Sequence, residues 1–232
     1  MMGMGTIINT IAIIVGGLIG LFFKDKIKAN EDNALSKACG VSTIFIGIAG
    51  AMKHMLNNDQ SMFVVVCLAL GTLVGELIGI EESFERFAAY LRNKSGNEKD
   101  ANFIDAFLTT SFTVCIGAMA IIGAIQDGIL HDYSTLAVKS VLDFIIAVVM
   151  SASMGKGAIF SAIPVFVLEG SVTLLSKLIE PIMSTIATSN LSLIGSILIF
   201  CVGINLVFGK KLKVANMLPA IVFAVLAAYL PF

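Results

Sequence analysis

Charged side chains are scarce in this sequence. Asp, Glu, Lys and Arg make up 13% of its 232 residues, about half the share that is usual in soluble domains. Hydrophobic residues make up 57%, so the chain lacks the polar groups that a soluble protein needs to cover its surface. The formal net charge of −1 also argues against the basic surface of a nucleic-acid-binding protein.

Signatures of enzymes and metal sites are missing as well. The sequence contains no HExxH, GxSxG or P-loop motif, and its four cysteines form no CxxC pair. All four cysteines lie in apolar segments, where we expect reduced thiols that pack as small hydrophobic side chains. We therefore expect no enzymatic activity, no cofactor and no metal site.

Long apolar segments dominate what is present. A helix needs roughly 20 apolar residues to cross about 30 Å of hydrocarbon, and eight segments approach that length. The last two are short and joined by the tight turn GKKLK, so a seven-span arrangement stays open. The sequence predicts an all-α integral membrane protein, a polytopic bundle of seven to eight transmembrane helices in a single domain, residues 1–232. The eight segments cover approximately residues 3–23, 36–56, 61–81, 103–126, 134–152, 157–178, 191–208 and 213–230.

Basic residues are distributed unevenly between the loops of the eight-span arrangement. Only Lys53 and Lys177 fall in even-numbered loops, whereas twelve basic residues fall in odd-numbered loops. Cytoplasmic loops carry an excess of Lys and Arg, so we predict cytoplasmic odd loops and both termini outside. The twelve residues are Lys24, Lys26, Lys28, Lys37, Arg86, Arg92, Lys94, Lys99, Lys156, Lys210, Lys211 and Lys213.

The third loop is the longest polar segment. The first half of EESFERFAAYLRNKSGNEKD places Phe84, Phe87, Ala88 and Leu91 on one helical face. This pattern predicts a short amphipathic helix at the membrane surface.

Small residues recur at helical spacing within the spans. Gly16 and Gly20 in span one, and Gly71, Gly75 and Gly79 in span three, predict helices whose backbones approach closely. Two segments, TIAIIVGGLIGLFFKDKIKA and SILIFCVGINLVFGKKLKVA, also resemble each other, and internal repeats mark many transporters. In span four a polar stripe gives the hypothesis of a path across the membrane, lined by Asp105, Thr109, Thr113, Gly117, Ala120, Ala124 and Asp127.

Span five carries two charges in the run AVKSVLDFIIAVV. Lys139 and Asp143 are four residues apart, so they lie on one helical face and can pair. Ser140 and Ser151 extend that face with polar groups. Ionisable groups in a membrane are costly and are retained when they pair, face water or function, so this stripe is predicted to face the bundle interior.

Span six carries a third buried charge, Glu169, five residues after Pro164. A proline lacks a backbone N–H and frees the carbonyl four residues earlier. Discontinuous helices often form binding sites in transporters. We therefore treat Pro164 as a helix break beside a binding carboxylate, with a simple kink as the alternative.

Other polar residues have weaker claims to function. Gln126 and Asp127 end span four, where a solvated helix end is the favoured interpretation and the mouth of a path is the alternative. Asn9 and Ser140 are also candidate ion-binding residues, although Asn9, like Asn205 and Asn216, can hydrogen-bond between helices without any functional role.

Four segments together resemble a known family. GTIINTIAIIVGGLIG, AIQDGILHDYSTLAVKSVLD, GKGAIFSAIPV and KVANMLPA are similar to the YqgA/YdfK-like bacterial membrane proteins, domain of unknown function 554. The resemblance covers essentially the whole chain. It implies a multi-pass protein of the bacterial plasma (inner) membrane, often regarded as a transporter, and supplies no established substrate or catalytic residue. It adds weight to Gln126, Asp127, Lys139, Asp143 and Pro164 as site residues.

The residues support several functional hypotheses. In the first, the chain is a small ion-coupled secondary transporter in which Asp143 and Glu169 bind a proton or a cation, and Lys139 neutralises Asp143 when the site is empty. The alternatives are a channel lined by the span-four stripe, with Asp127 at its mouth, and a membrane scaffold in which Lys139 and Asp143 only fix helix register. Expected partners are membrane lipids and a small solute or ion, with H⁺ and Na⁺ considered and nucleic acid excluded. A homo-oligomer is left open.

Overall fold

A computed structural model describes residues 3–24, 29–55, 61–98, 100–116 and 118–229. Within these ranges the regular structure is entirely helical. Four positions named above, Lys26, Lys28, Lys99 and Gly117, lie outside the described residues.

The helices are numbered in chain order. One residue separates the third helix from the fourth. The 3₁₀ segment Lys156–Ser161 precedes the eighth helix, and the 3₁₀ segment Glu180–Ile182 follows the ninth. The α-helices are α1 Met4–Lys24, α2 Ala29–Met55, α3 Ser61–Ile78, α4 Ile80–Lys94, α5 Phe103–Cys115, α6 Ala118–Ile129, α7 Ser134–Met154, α8 Ala162–Leu174, α9 Ser176–Ile179, α10 Thr185–Phe208, α11 Val214–Met217 and α12 Pro219–Ala227.

The chain is an all-α integral membrane protein with several apolar spans. Among the described residues, four helical segments are long and apolar enough to cross a membrane: α1, α7, the segment Lys156–Leu174 and α10. The number rises to six if two bent pairs, α3 with α4 and α5 with α6, each form one span. The predicted count of eight is therefore not confirmed, while the polytopic helical bundle with bent helices is.

Two predicted elements differ in detail from the structure. Predicted span four is two helices, α5 and α6, that meet at an angle of 60°. Helix α10 begins at Thr185, earlier than the predicted start of span seven at residue 191. The Ser184 hydroxyl caps this helix by accepting the Ala187 N–H at 3.1 Å. The amphipathic helix predicted in the third loop is confirmed as α4, which follows α3 at a bend of 54°, and its position at the membrane surface stays a prediction.

Glycines bring the helices of the bundle into close contact. A Cβ added to Gly20 of α1 would lie 2.2 Å from the carbonyl oxygen of Val148 in α7. A Cβ on Gly75 of α3 would lie 1.9 Å from the carbonyl oxygen of Asn216 in α11. The predicted close packing is confirmed at these positions, whereas Gly79 has φ +69° and forms the bend between α3 and α4 instead.

The helix that carries Pro164 is irregular just before the proline. The backbone changes from 3₁₀ to α geometry at Ser161 and Ala162, and Pro164 is the third residue of α8. The first-turn N–H groups of a helix have no intrahelical acceptor, so a proline there removes no helical hydrogen bond. Pro164 therefore lies just after the change from 3₁₀ to α geometry in the segment Lys156–Leu174, and a helix break that forms a binding site stays a prediction.

The bundle has two ends, which we name by residues. At the Asp127 end, Asp127 closes α6 beside Gly5 at the start of α1. At the Lys210 end, a cleft of about 180 Å³ lies between Asp105 of α5, Met154 of α7 and Lys210. Helix α1 runs from the Asp127 end toward the Lys210 end, and α8 runs in the opposite direction.

Candidate functional site

Lys139 and Asp143 of α7 form a direct ion pair, as their spacing of four residues predicts. The Lys139 Nζ contacts Asp143 Oδ2. The two side chains are only 7% and 5% exposed. The pair therefore faces the bundle interior, while Val138, Val141 and Leu142 of the same helix lie on its exposed side.

Glu169 of α8 joins this pair. Its Oε1 lies 3.4 Å from the Lys139 Nζ, and its side chain is 1% exposed. The sequence left open whether spans five and six touch, and this ion pair brings them together. One ammonium group is thus shared by two carboxylates.

Asn9 of α1 bridges the two carboxylates. Its Nδ2 donates to Asp143 Oδ2 at 2.9 Å and to Glu169 Oε1 at 2.8 Å. Asn9 is completely buried, so these are the bonds that satisfy its amide hydrogens. Asn9, Lys139, Asp143 and Glu169 together form what we call the buried charge cluster.

Lys139 also holds the break between α5 and α6. Its Nζ donates to the carbonyl oxygen of Val114 at 2.8 Å. Val114 is the penultimate residue of α5, and the backbone of Ile116, just after the end of the helix, is extended. Backbone groups freed from a helix at membrane depth need a partner within the protein, and the lysine supplies it.

The cluster has an unequal number of charges. With both carboxylates ionised, one cation faces two anions and the net charge is −1. A buried charge without a partner is strongly unfavourable. The arrangement is therefore suited to accept one further positive charge.

Asp127 does not form a solvated helix end, and that prediction is wrong. The residue is completely buried, and its Oδ2 accepts the backbone N–H of Gly5 at 2.9 Å. Gly5 lies in the first turn of α1, so the carboxylate caps that helix and complements its dipole. Burial occurs because the start of α1 covers the end of α6.

Gln126 and Ser140 lie outside the cluster. Gln126 accepts the Thr135 hydroxyl at 2.7 Å, which ties the end of α6 to the start of α7. The Ser140 hydroxyl donates to the carbonyl of Ala137 within α7 at 2.7 Å. A binding role for either residue stays a prediction without a contact to the charges.

The predicted polar stripe of span four is divided between two helices. Asp105 and Thr109 line the cleft at the Lys210 end, whereas Asp127 caps α1 at the opposite end. The 60° bend between α5 and α6 separates the two halves. The stripe therefore does not form one straight path.

Several groups in and around the buried charge cluster were not recognised in the sequence. The Val114 carbonyl carries no side-chain signal, because any residue supplies the same group. Thr6 and Thr173 are buried and lie one helical turn from Asn9 and Glu169 respectively. Their spacing of three and four residues from polar partners is a signal that could have found them.

The chain is similar to one protein family over nearly its whole length. The model of a family described as "Protein of unknown function (DUF554)" matches residues 4–229. The "Uncharacterized membrane protein YdfK" of Bacillus subtilis is 30% identical over 94% of this chain and 92% of its own length. The "Uncharacterized protein YqgA" of Escherichia coli is 27% identical over 96% of this chain and 95% of its own length. No solved structure matches the chain significantly.

Proposed function

The chain belongs to the DUF554 family, and from this membership and the site we propose that it is a small ion-coupled secondary transporter of the bacterial plasma membrane. The observation that carries the proposal is the sharing of one lysine by two carboxylates inside an apolar bundle. Ionisable groups at such positions commonly mark ion or substrate pathways.

The charge imbalance supplies the driving interaction. Binding of a proton or a cation would bring the buried charge cluster from a net charge of −1 to neutrality. The favourable change is large where surrounding groups are apolar, since water screens the charges little. An ion would therefore favour the conformation in which the cluster is closed.

The broken helix offers a way to convert ion binding into movement. Lys139 contacts both the acids and the Val114 carbonyl at the break between α5 and α6. An ion that neutralises Glu169 weakens the attraction between Glu169 and Lys139. Lys139 then keeps its contacts with Asp143 and the Val114 carbonyl. Because Lys139 is no longer held toward Glu169, it can shift, and the angle between α5 and α6 can change with it.

The orientation is part of the proposal. The excess of basic residues in the odd loops of the eight-span arrangement supports a cytoplasmic position for the Lys210 end. The cleft between Asp105, Met154 and Lys210 would then be the entrance from the cytoplasm, and the Asp127 end would face outward.

A channel and a scaffold are the competing functions. The bend in the span-four stripe weakens the channel, because its polar groups do not line one path. The scaffold is favoured by a specific observation: Lys139 binds three oxygen atoms, which is a full set for an ammonium group. Two ionised carboxylates on one lysine also leave the cluster with one negative charge in excess, which a scaffold does not need and which supports the transporter.

The test is transport in proteoliposomes. Currents on a solid-supported membrane are recorded after jumps of Na⁺, of pH, and of a panel of amino acids, organic acids and amines. We expect one solute to give an ion-dependent current that Asp143→Asn and Glu169→Gln abolish. Asp132→Asn, the same chemical change at an exposed carboxylate, should leave the current unchanged.

Three results would contradict the proposal. An ion-dependent current that persists in Asp143→Asn would remove the cluster from the coupling. Steady unitary currents in a planar bilayer would identify a channel, and the absence of any flux together with intact folding of wild type would favour the scaffold.

A further inference from the structure

Four buried oxygen atoms beside the buried charge cluster have no hydrogen-bond partner in the part of the chain that the structure describes. They are Thr6 Oγ1, Asn9 Oδ1, Glu169 Oε2 and Thr173 Oγ1. Each of these residues is at most 2% exposed. Buried polar atoms are nearly always bonded to protein, water or an ion, so this group calls for a ligand.

The residues that carry these four atoms lie along one seam between α1 and α8. Asn9 and Glu169 are directly hydrogen-bonded across it at 2.8 Å. A Cβ on Gly170 would have Thr6 Cγ2 as its neighbour at 3.9 Å, so Thr6 faces the residue that follows Glu169.

The helical repeat places Thr173 on the same seam. Thr173 comes four residues after Glu169, so it lies on the same face of α8, one turn toward the Asp127 end. Thr6 precedes Asn9 by three residues and lies one turn toward the same end of α1. The two threonines therefore extend the seam in one direction from the amide and the carboxylate.

The chemistry of these atoms selects a hard cation. They comprise one carboxylate, one amide and two hydroxyl oxygens, the ligand types preferred by cations such as Na⁺, Mg²⁺ and Ca²⁺ and not by soft metals. The cluster has one excess negative charge, so a single monovalent cation neutralises it. A proton on Glu169 would need one acceptor and would leave the other oxygens unused.

We propose that the α1–α8 seam binds one Na⁺ ion through Thr6 Oγ1, Asn9 Oδ1, Glu169 Oε2 and Thr173 Oγ1. The inference rests on the proposed function and names its coupling ion. Na⁺ and Lys139 then lie on opposite sides of Glu169, and the occupied cluster is neutral. Release of Na⁺ leaves Lys139 as the only cation for both acids.

The experiment uses the full-length protein purified in detergent. Binding of ²²Na⁺ is measured directly, and the melting temperature is measured in NaCl, KCl and choline chloride at equal ionic strength and pH. A ligand that binds only the folded state raises the melting temperature with its concentration. We expect a saturable rise with NaCl that the other two salts do not give.

Hydroxyl deletion on each helix locates the site. Thr6→Val and Thr173→Val should each raise the half-saturating Na⁺ concentration at least about tenfold, as expected for the loss of one bond to a charged group. Thr10→Val on α1 and Ser171→Ala on α8 are the controls, because those hydroxyls donate to carbonyls of their own helices. The controls should keep the wild-type affinity.

The outcomes are decisive in both directions. Absent ²²Na⁺ binding, or equal shifts with all three salts, overturns the site. Weakened binding in Thr10→Val equal to that in Thr6→Val also overturns it. If Thr6→Val or Thr173→Val fails to fold, Thr6→Ser and Thr173→Ser keep the oxygen and must bind Na⁺ like wild type.

Measurements of transport and of Na⁺ binding on the same protein distinguish this inference from the proposed function. Transport driven by a proton gradient, with no Na⁺ binding, overturns the Na⁺ site and leaves the transporter intact. Na⁺ binding without flux of any solute supports the site and overturns the transporter.

Discussion

Two groups of charges in this protein have the same chemistry and very different surroundings. In the buried charge cluster, Lys139, Asp143 and Glu169 are 7%, 5% and 1% exposed. In the second group, which we name the Lys210 cluster, Lys210 pairs with Glu81 and Glu85. Lys210 and Glu85 are 43% and 39% exposed, whereas Glu81 is 6% exposed. Exposed ion pairs contribute little free energy, whereas breaking a buried pair is strongly destabilising.

The Lys210 cluster joins two surface segments. Glu81 of α4 accepts the Ala215 N–H at 3.0 Å, and its own N–H donates to Asn216 at 2.7 Å. Lys213 pairs with Glu76 at 3.0 Å. These contacts attach the turn between α10 and α11 to α4. Water reaches Lys210 and Glu85, and the buried Glu81 keeps the Ala215 N–H as a partner when Lys210 is lost.

The largest effect is expected from removal of the shared lysine. Lys139→Met leaves two carboxylates and the Val114 carbonyl without their cation, and we expect a loss of about 3–5 kcal/mol in the free energy of unfolding. Lys210→Met is the matched change in the exposed cluster, and we expect at most about 1 kcal/mol there. Denaturant unfolding of both variants in the same detergent measures the difference.

The second carboxylate gives a control for this prediction. Glu169→Gln added to Lys139→Met removes one of the two uncompensated anions, so it should restore part of the lost stability. Equal losses in Lys139→Met and Lys210→Met would contradict the distinction between the clusters.

Local parts of the buried cluster were predictable from the sequence. Lys139 and Asp143 are one helical turn apart, so their pairing follows from helix geometry alone. The contacts of Asn9 with Asp143 and Glu169 join residues 134 and 160 positions apart. Such contacts depend on how whole helices pack, and the sequence offers no spacing rule for them.

The predictions for Asp127 and for span four were wrong because they also depend on how whole helices pack. Asp127 lies near the end of an apolar segment, and hydropathy cannot tell whether another helix covers that end. The bend between α5 and α6 has no proline, so the segment 103–126 reads as one continuous span. The glycines at helical spacing predicted close packing correctly at Gly20 and Gly75, because that pattern is local to each helix, whereas Gly79 forms a bend.

Asp127 offers a case intermediate between the two clusters. It is buried like Glu169, but it caps the N-terminus of α1 and shares no lysine. We expect Asp127→Ala to cost about 1 kcal/mol, the usual contribution of a helix cap. Asp132 is exposed, and its Oδ1 accepts the N–H of Ser134, the first residue of α7, at 2.9 Å. Asp132→Ala should therefore cost less. Thermal unfolding of the two variants ranks them, and an equal loss would show that burial adds nothing to the cap.

The smallest effect concerns the pH dependence of the Lys210 cluster. Burial alone would lower the pKa of Lys210, but hydrogen bonds to Glu85 and Glu81 raise it above its ordinary value of 10.5. A group whose pKa is higher in the folded state contributes its full stabilisation below the unfolded pKa. That contribution is lost as the pH rises through the folded pKa.

Because the stabilisation by Lys210 is lost at high pH, a comparison of wild type with a variant that lacks Lys210 can detect it. Melting temperatures of wild type and Lys210→Met are measured from about pH 8 to about pH 11.5, a range chosen around the ordinary lysine pKa. Other groups titrate in both proteins, so only the difference between them reports on Lys210. The advantage of wild type should be constant at the lower pH values and should shrink at the upper ones, more strongly at low salt because the pair is exposed. A difference that stays constant over the whole range would mean that the ion pairs of Lys210 contribute nothing, and that the exposed cluster acts only through the packing of its side chains.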